Sequence, residues 1–296
     1  MFEGLTVAMV TPFRGGELDL EGTARLIEFM LEGGVENLVV SGSTGEAATC
    51  SVDERRTLWR FVRERVAGRV PLVAGTGTNS TSESVTLTHM AEEIGLDGVM
   101  LVTPYYNKPT AKGQIAHFST VARSTKLPVI LYNVPSRTGT NTLPEVFEKL
   151  DSVPNIVAIK EASGSLDQAS AIKARTAFTL LSGDDSLTAP MIAIGAEGVI
   201  SVVGNAAPRK MRELCDHARA GRREATETSH RRLLPLFRAL FVESNPGPVK
   251  YLLSAMGLIE NELRLPLVPV EPATQKIILD AAQSAGLTVA AAVSGT

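Results

Sequence analysis

The 296-residue sequence predicts a (β/α)8 barrel, an α/β fold of the TIM type, followed by a C-terminal helical region. Three observations predict it. Eight short β-rich runs recur along the first two-thirds of the chain. Most are continuously apolar, as parallel strands buried on both faces are. Helix-patterned segments separate them, which is the alternation of a βα repeat. In chain order the first four runs are LTVAMV (5–10), closed by TPF; NLVV (37–40), ending in SGSTGE; PLVA (71–74), ending in GTGTNS; and GVMLV (98–102), ending in TPYYNKP. The last four are PVIL (128–131), ending in YNVPSRTG; IVAI (156–159), ending in KEASGS; FTLL (178–181), ending in SGDD; and GVISVV (198–203), ending in VGN. Helical periodicity marks 21–32, 52–66, 81–93, 113–125 and 143–150. A doubly wound open sheet shares the alternation, but eight evenly spaced units favour closure.

After the eighth run the β signal stops. The stretches 208–242, 248–256 and 272–285 read as helices, with proline at or near their starts. The expected division is a catalytic barrel over 1–224 and a helical region over 225–296, too small to stand without packing on a larger body. The final stretch TVAAAVSGT (288–296) is weakly patterned and expected to fray.

With 44% hydrophobic residues, the chain can bury a large core without a disulfide or metal staple. A net charge of -3 gives no electrostatic reason to bind nucleic acid or anionic lipid. Arg219, Arg222, Arg223, Arg231 and Arg232 interleave with Glu224 and Glu227, which reads as a solvated helical face. The only cysteines, Cys50 and Cys215, lie far apart with no CxxC spacing, as suits a reducing compartment. The N-terminus lacks the basic region of a signal peptide, and no apolar run is long enough to span a bilayer, so the expected location is the cytoplasm.

In a barrel the loops after the strands converge at one rim, where such folds carry their active sites. Lys160 closes the run IVAI. Lysine is depleted in strands and costly to bury, so this placement admits two readings. One is a rim lysine paired with Glu161 or a nearby acid. The other is an amine whose pKa desolvation lowers, ready to attack a carbonyl. Tyr132 ends the preceding run and is either a core aromatic or a proton relay beside that amine. Ser43 and Thr44, in GSTGE (42–46), offer hydroxyls and a glycine-flanked backbone that suits a carboxylate; an ordinary strand-to-helix turn is the plainer alternative. Tyr105 and Tyr106 stand in a turn-rich loop that suits an interface. Arg137 is either solvated or a bidentate carboxylate grip. The lysine, the phenol and the anion-friendly turn together favour imine chemistry.

Other chemistries find little. His89, His117, His217 and His230 are scattered on helical segments without metal-ligand spacing, and none falls in a rim loop to serve a serine nucleophile. Asp184 and Asp185 alone are a weak cation signal. GSTGE is not a P-loop, and GTGTNS lacks the third glycine of a dinucleotide fingerprint.

The motifs GSTGE (42–46), TPYYNKP (103–109), YNVPSRTG (132–139), IKEASG (159–164) and SGDD (182–185) resemble those of the 4-hydroxy-tetrahydrodipicolinate synthase (dihydrodipicolinate synthase) family. This is a branch of the pyruvate-dependent class I aldolases, and the likeness continues through ESNPGPVKYLLSAMGLIENELRLPLVP (243–269). The resemblance implies a lyase that condenses pyruvate with L-aspartate 4-semialdehyde on the diaminopimelate route to lysine. It implies no metal or organic cofactor and a homotetramer built as a dimer of dimers.

By position it makes Lys160 the Schiff-base lysine and Tyr132 the proton donor and acceptor. Ser43 and Tyr106 would complete the relay, Tyr106 from a neighbouring subunit. Thr44 would hold the pyruvate carboxylate and Arg137 that of the semialdehyde, with Gly183 and Ile200 lining the pocket by their backbone. Ser43 stands where these synthases commonly have threonine, and GSTGE is shared with sugar-acid lyases of the superfamily. The loops SRTG and SGDD favour the synthase. A lyase for a sugar-derived 2-oxo acid and a non-catalytic 2-oxo-acid sensor are the competing readings. Positions matching a lysine feedback site are Ala48, Val52, Arg55, Asn79, Glu83 and Tyr105. Val52 and Arg55 replace histidines there, and an inward Arg55 would repel a cationic ligand.

Overall fold

The structure is a computed structural model and describes residues 1–289, so 290–296, most of the stretch expected to fray, lie outside the described residues. Eight parallel strands close into a barrel: β1 (Gly4–Ala8), β2 (Asn37–Val40), β3 (Leu72–Gly75), β4 (Gly98–Val102), β5 (Val129–Asn133), β6 (Ile156–Glu161), β7 (Thr179–Ser182) and β8 (Gly198–Ser201). Closure runs through β1 and β8, with Leu5 opposite Val199 and Thr6 opposite Ile200. The open-sheet alternative is thereby excluded.

One helix follows each strand: Leu20–Glu32, Val52–Val66, Thr81–Ile94, Ala111–Arg123, Pro144–Leu150, Leu166–Arg175, Thr188–Ala193 and Pro208–Arg219. Local chemistry starts several of them. Ser51 and Glu54 form a reciprocal capping box, and Asp19, Ser80, Thr110 and Ser165 each accept a first-turn N–H. The stretch expected to be helical over 208–242 divides at Gly221, whose φ is +67°, a left-handed conformation that glycine adopts freely. Pro208–Arg219 completes the eighth βα unit, and Arg223–Ala239 begins the C-terminal helices, followed by Gly247–Ala255 and Pro272–Ser284. The position 224/225 lies in the first turn of Arg223–Ala239. A two-residue hairpin, Phe13–Arg14 with Glu17–Leu18, sits after β1.

Two apolar layers hold the barrel. Outward strand residues such as Leu38, Leu131 and Ile159 pack under the helices, and Leu233, Leu236, Leu252 and Ile278 bring the C-terminal helices into the same core. Inward residues, among them Val39, Ile130, Ala158 and Ile200, fill the barrel itself. Alternation along each strand sorts the two sets. No helix among the described residues is long and apolar enough to cross a membrane.

Candidate active site

Strand alternation carries two polar side chains to the top of the barrel interior. Ile130 and Tyr132 point inward from β5, Ala158 and Lys160 from β6, and the register sets Ile130 against Ala158 and Tyr132 against Lys160. Lys160 is 5% exposed, and its Nζ lies 4.1 Å from the centre of the Tyr132 ring. Burial lowers the lysine to about 8, against an opposing pull upward from the Asp184 and Asp185 carboxylates. Tyr132 is 7% exposed, and burial pushes its phenol up to about 12. At neutral pH the pair is therefore a partly deprotonated amine beside a fully protonated phenol.

Both groups open into a cavity of about 710 Å³ at the C-terminal mouth of the barrel, which Ser43, Thr44, Arg137 and Gly183 also line. In the turn after β2, Gly45 N–H donates to the Gly42 carbonyl and Glu46 N–H to that of Ser43. The backbone hydrogen bonds of this turn leave the Ser43 and Thr44 amides without a protein acceptor among the described residues. Two free N–H groups beside two hydroxyls make a cradle for a carboxylate. Ser41 and Glu46 bracket the turn in left-handed backbone, with φ of +53° and +50°. Strain of this kind in non-glycine residues is characteristic of binding sites. At Gly183 an added Cβ would sit 2.5 Å from that of Ala162, so the strand ends meet here only because the residue has no side chain.

The C-terminal region completes the mouth. Asn245, 6% exposed, donates through Nδ2 to Thr44 Oγ1 at 3.0 Å, and its carbonyl accepts from Arg137 Nη2 at 3.2 Å. One residue thus spans the hydroxyl of the turn and the guanidinium of the loop after β5. Below it, Lys250 and Glu46 form a fully buried ion pair at 2.6 Å. Lys250 also donates to the Thr11 carbonyl, and Glu46 accepts from the Arg264 N–H. Neither Asn245 nor this pair was singled out in the sequence. A lone lysine within the apolar helical run PVKYLL was the available signal.

Not every expected residue meets the cavity. Tyr106 is 89% exposed, with φ +71°, and does not line it. Ile200 lies in the barrel interior beneath, buried beside β1. Ala48 and Tyr105 line a second, adjoining cavity together with Arg55, while Asn79 and Glu83 stand outside both. Asp184 lines the catalytic cavity. Asp185 is buried, accepting from the Ser201 hydroxyl and from the Val202 and Val203 amides. Burial raises both carboxyls, with the Lys160 charge opposing the rise at Asp184. Among the described residues no group of three histidine, cysteine, aspartate or glutamate side chains could hold a metal ion. Cys50 and Cys215 are free and buried.

The sequence model of the dihydrodipicolinate synthetase family matches residues 1–285. A 4-hydroxy-tetrahydrodipicolinate synthase of Thermotoga neapolitana is 47% identical over 293 residues, covering 97% of this chain and all of its own. The crystal structure of a dihydrodipicolinate synthase from Thermotoga maritima superposes with a TM-score of 0.96 at 45% identity, covering 97% of this chain and 100% of that one. A dihydrodipicolinate synthase from Acinetobacter baumannii, solved as a pyruvate complex, superposes at 0.95 with 39% identity over 97% of this chain and all of its own.

Proposed function

The chain belongs to the dihydrodipicolinate synthetase family, and from that premise we propose that Lys160 is its imine-forming amine. The enzyme is a lyase that condenses pyruvate with L-aspartate 4-semialdehyde, on the diaminopimelate route to lysine. The observation that carries the assignment of Lys160 is its place: an amine lowered to about 8, pointing into the closed mouth of the barrel beside the Tyr132 phenol.

The neutral amine adds to the C2 carbonyl of pyruvate, and loss of water leaves a protonated imine. That imine is an electron sink, so the pyruvate methyl can release a proton and become an enamine. The enamine carbon attacks the aldehyde of the second substrate, forming the carbon–carbon bond, and the resulting alkoxide takes up a proton. The amino group of the lengthened chain then attacks the imine carbon, closing the ring and returning the Lys160 amine. Tyr132, protonated at neutral pH, both gives and takes protons in these steps, with the exposed Ser43 hydroxyl on the cavity wall next in line.

Thr44 and the free amides of the turn hold the pyruvate carboxylate, and Arg137 takes that of the semialdehyde. Gly183 and Ile200 shape the pocket around them. Tyr106 acts in a neighbouring copy: its exposure and its distance from this chain's own cavity suit a residue that crosses a subunit interface in a dimer of dimers. Two free, buried cysteines suit a cytoplasmic location.

The test is covalent capture. Borohydride added with pyruvate should leave a stable adduct on the Lys160 peptide, read by mass, and Lys160→Ala should abolish it. Absence of the adduct from the native enzyme overturns the assignment. A coupled assay with aspartate semialdehyde separates this reaction from sugar-acid cleavage.

A further inference from the structure

We propose that the second cavity, beside the catalytic one, binds a small carboxylate anion. Its volume is about 380 Å³, and it lies between the 46–49 turn, Arg55, Tyr105 and Leu267. Gly42, Ser43, Tyr132 and Arg137 belong to the walls of both cavities, so an occupant would adjoin the reacting groups.

The charge of the wall sets the ligand class. Arg55 and Arg137 both line the cavity. Arg55 donates from Nη2 to the Ala47 carbonyl, while its Nε–H is buried with no acceptor. Arg137 donates to a carbonyl as well, that of Asn245. Neither guanidinium therefore has a carboxylate partner among the described residues.

The acids nearby are already committed. Glu46 accepts from Lys250 and from the Arg264 N–H, and Glu54 accepts from the Arg264 guanidinium and the Ser51 N–H. The Arg264 guanidinium holds the Glu54 carboxyl down at about 2, so it remains charged and paired. With those pairs closed, the wall presents two unmatched positive charges and a buried donor lacking an acceptor. A carboxylate oxygen supplies that acceptor and restores the solvation lost to the Nε–H. A cationic amino acid meets the opposite situation. It would face Arg55, and Glu83, the carboxylate expected to hold an ammonium group, does not reach this wall.

The chain carries its own reporter. Trp59 is the sole tryptophan, stands one helical turn beyond Arg55 and donates to Ser41 Oγ at 2.8 Å, and Ser41 is part of the cavity wall. The experiment follows Trp59 fluorescence as malonate is added to the full-length enzyme, first native and then with Lys160 capped by pyruvate and borohydride. Sodium chloride and lysine hydrochloride at matched ionic strength are run in parallel.

A saturable change is expected with malonate in both forms and with neither control. In Arg55→Met the affinity should fall by about tenfold or more, the loss of a charge-assisted contact. Arg55→Gln keeps a neutral donor and decides the matter if the methionine variant does not fold. A malonate signal equal to that of chloride, one lost on capping, tighter binding of lysine, or unchanged affinity in the folded variant overturns the proposal. Failure of the capping reaction itself would bear on the role of Lys160 and leave the native-enzyme titration to judge this site.

Discussion

The pH at which Lys160 becomes a nucleophile is the sharpest quantity the structure supplies. With its pKa lowered to about 8 by burial, roughly one amine in ten is neutral at pH 7 and about nine in ten at pH 9. An unperturbed lysine would be neutral in roughly one molecule in three thousand at pH 7, so burial raises the reactive fraction about 300-fold. The sign is direct, because raising the pH removes the proton that blocks attack. The assay measures the initial rate of borohydride capture at limiting pyruvate, without the second substrate, from pH 6 to pH 10. The rate should climb about tenfold per pH unit at the acid end, bend near 8 and flatten above it. Asp184→Asn removes a carboxylate whose charge holds the lysine pKa up, so its bend should move to lower pH. A rate still climbing tenfold per unit at pH 9.5 would refute the desolvation argument. So would a bend that Asp184→Asn moves upward.

Three further outcomes follow from the same geometry. Arg137→Ala should cut kcat/KM for aspartate semialdehyde by roughly 30-fold to 1,000-fold, the range expected for losing a bidentate charge-assisted grip. Pyruvate capture on Lys160 should survive that change, and equal loss of both readouts would contradict the assignment. Tyr106→Phe should lower turnover while imine capture persists. Complete loss of capture would show that Tyr106 is needed before the relay acts. Lys250→Met leaves Glu46 as a buried carboxylate without its cation, which costs about 3–5 kcal/mol and should lower the thermal midpoint by on the order of 10 °C. Circular dichroism checks the last, and pairing it with Glu46→Leu should recover much of the loss.

The two readings of Lys160 left open by composition and propensity are separated by one rule that is itself visible in sequence. Adjacent residues on a strand face opposite ways. Lys160 points into the barrel, so Glu161 cannot be its partner; that carboxylate accepts from Asn133 and Gln168 on the other face. Alternation and loop chemistry made the strands, the rim and the lysine–tyrosine pair legible because each depends on near neighbours or on closure of the sheet. The hairpin after β1 carried too little periodicity to find, with strands of two residues each.

Contacts between distant parts of the chain were hidden for a different reason. The Asn245–Thr44 hydrogen bond and the Lys250–Glu46 ion pair link residues 201 and 204 positions apart. No local pattern encodes such a pairing. These contacts also give the C-terminal helices a definite part in the site. They seat Asn245 on the carboxylate-binding turn and place its carbonyl under Arg137, so the two substrate-binding groups are held relative to each other by one residue. Loosening the Glu46–Lys250 pair should therefore disturb both substrates' KM values together, whereas Arg137→Ala should disturb only one. That difference separates a scaffold contact from a recognition contact.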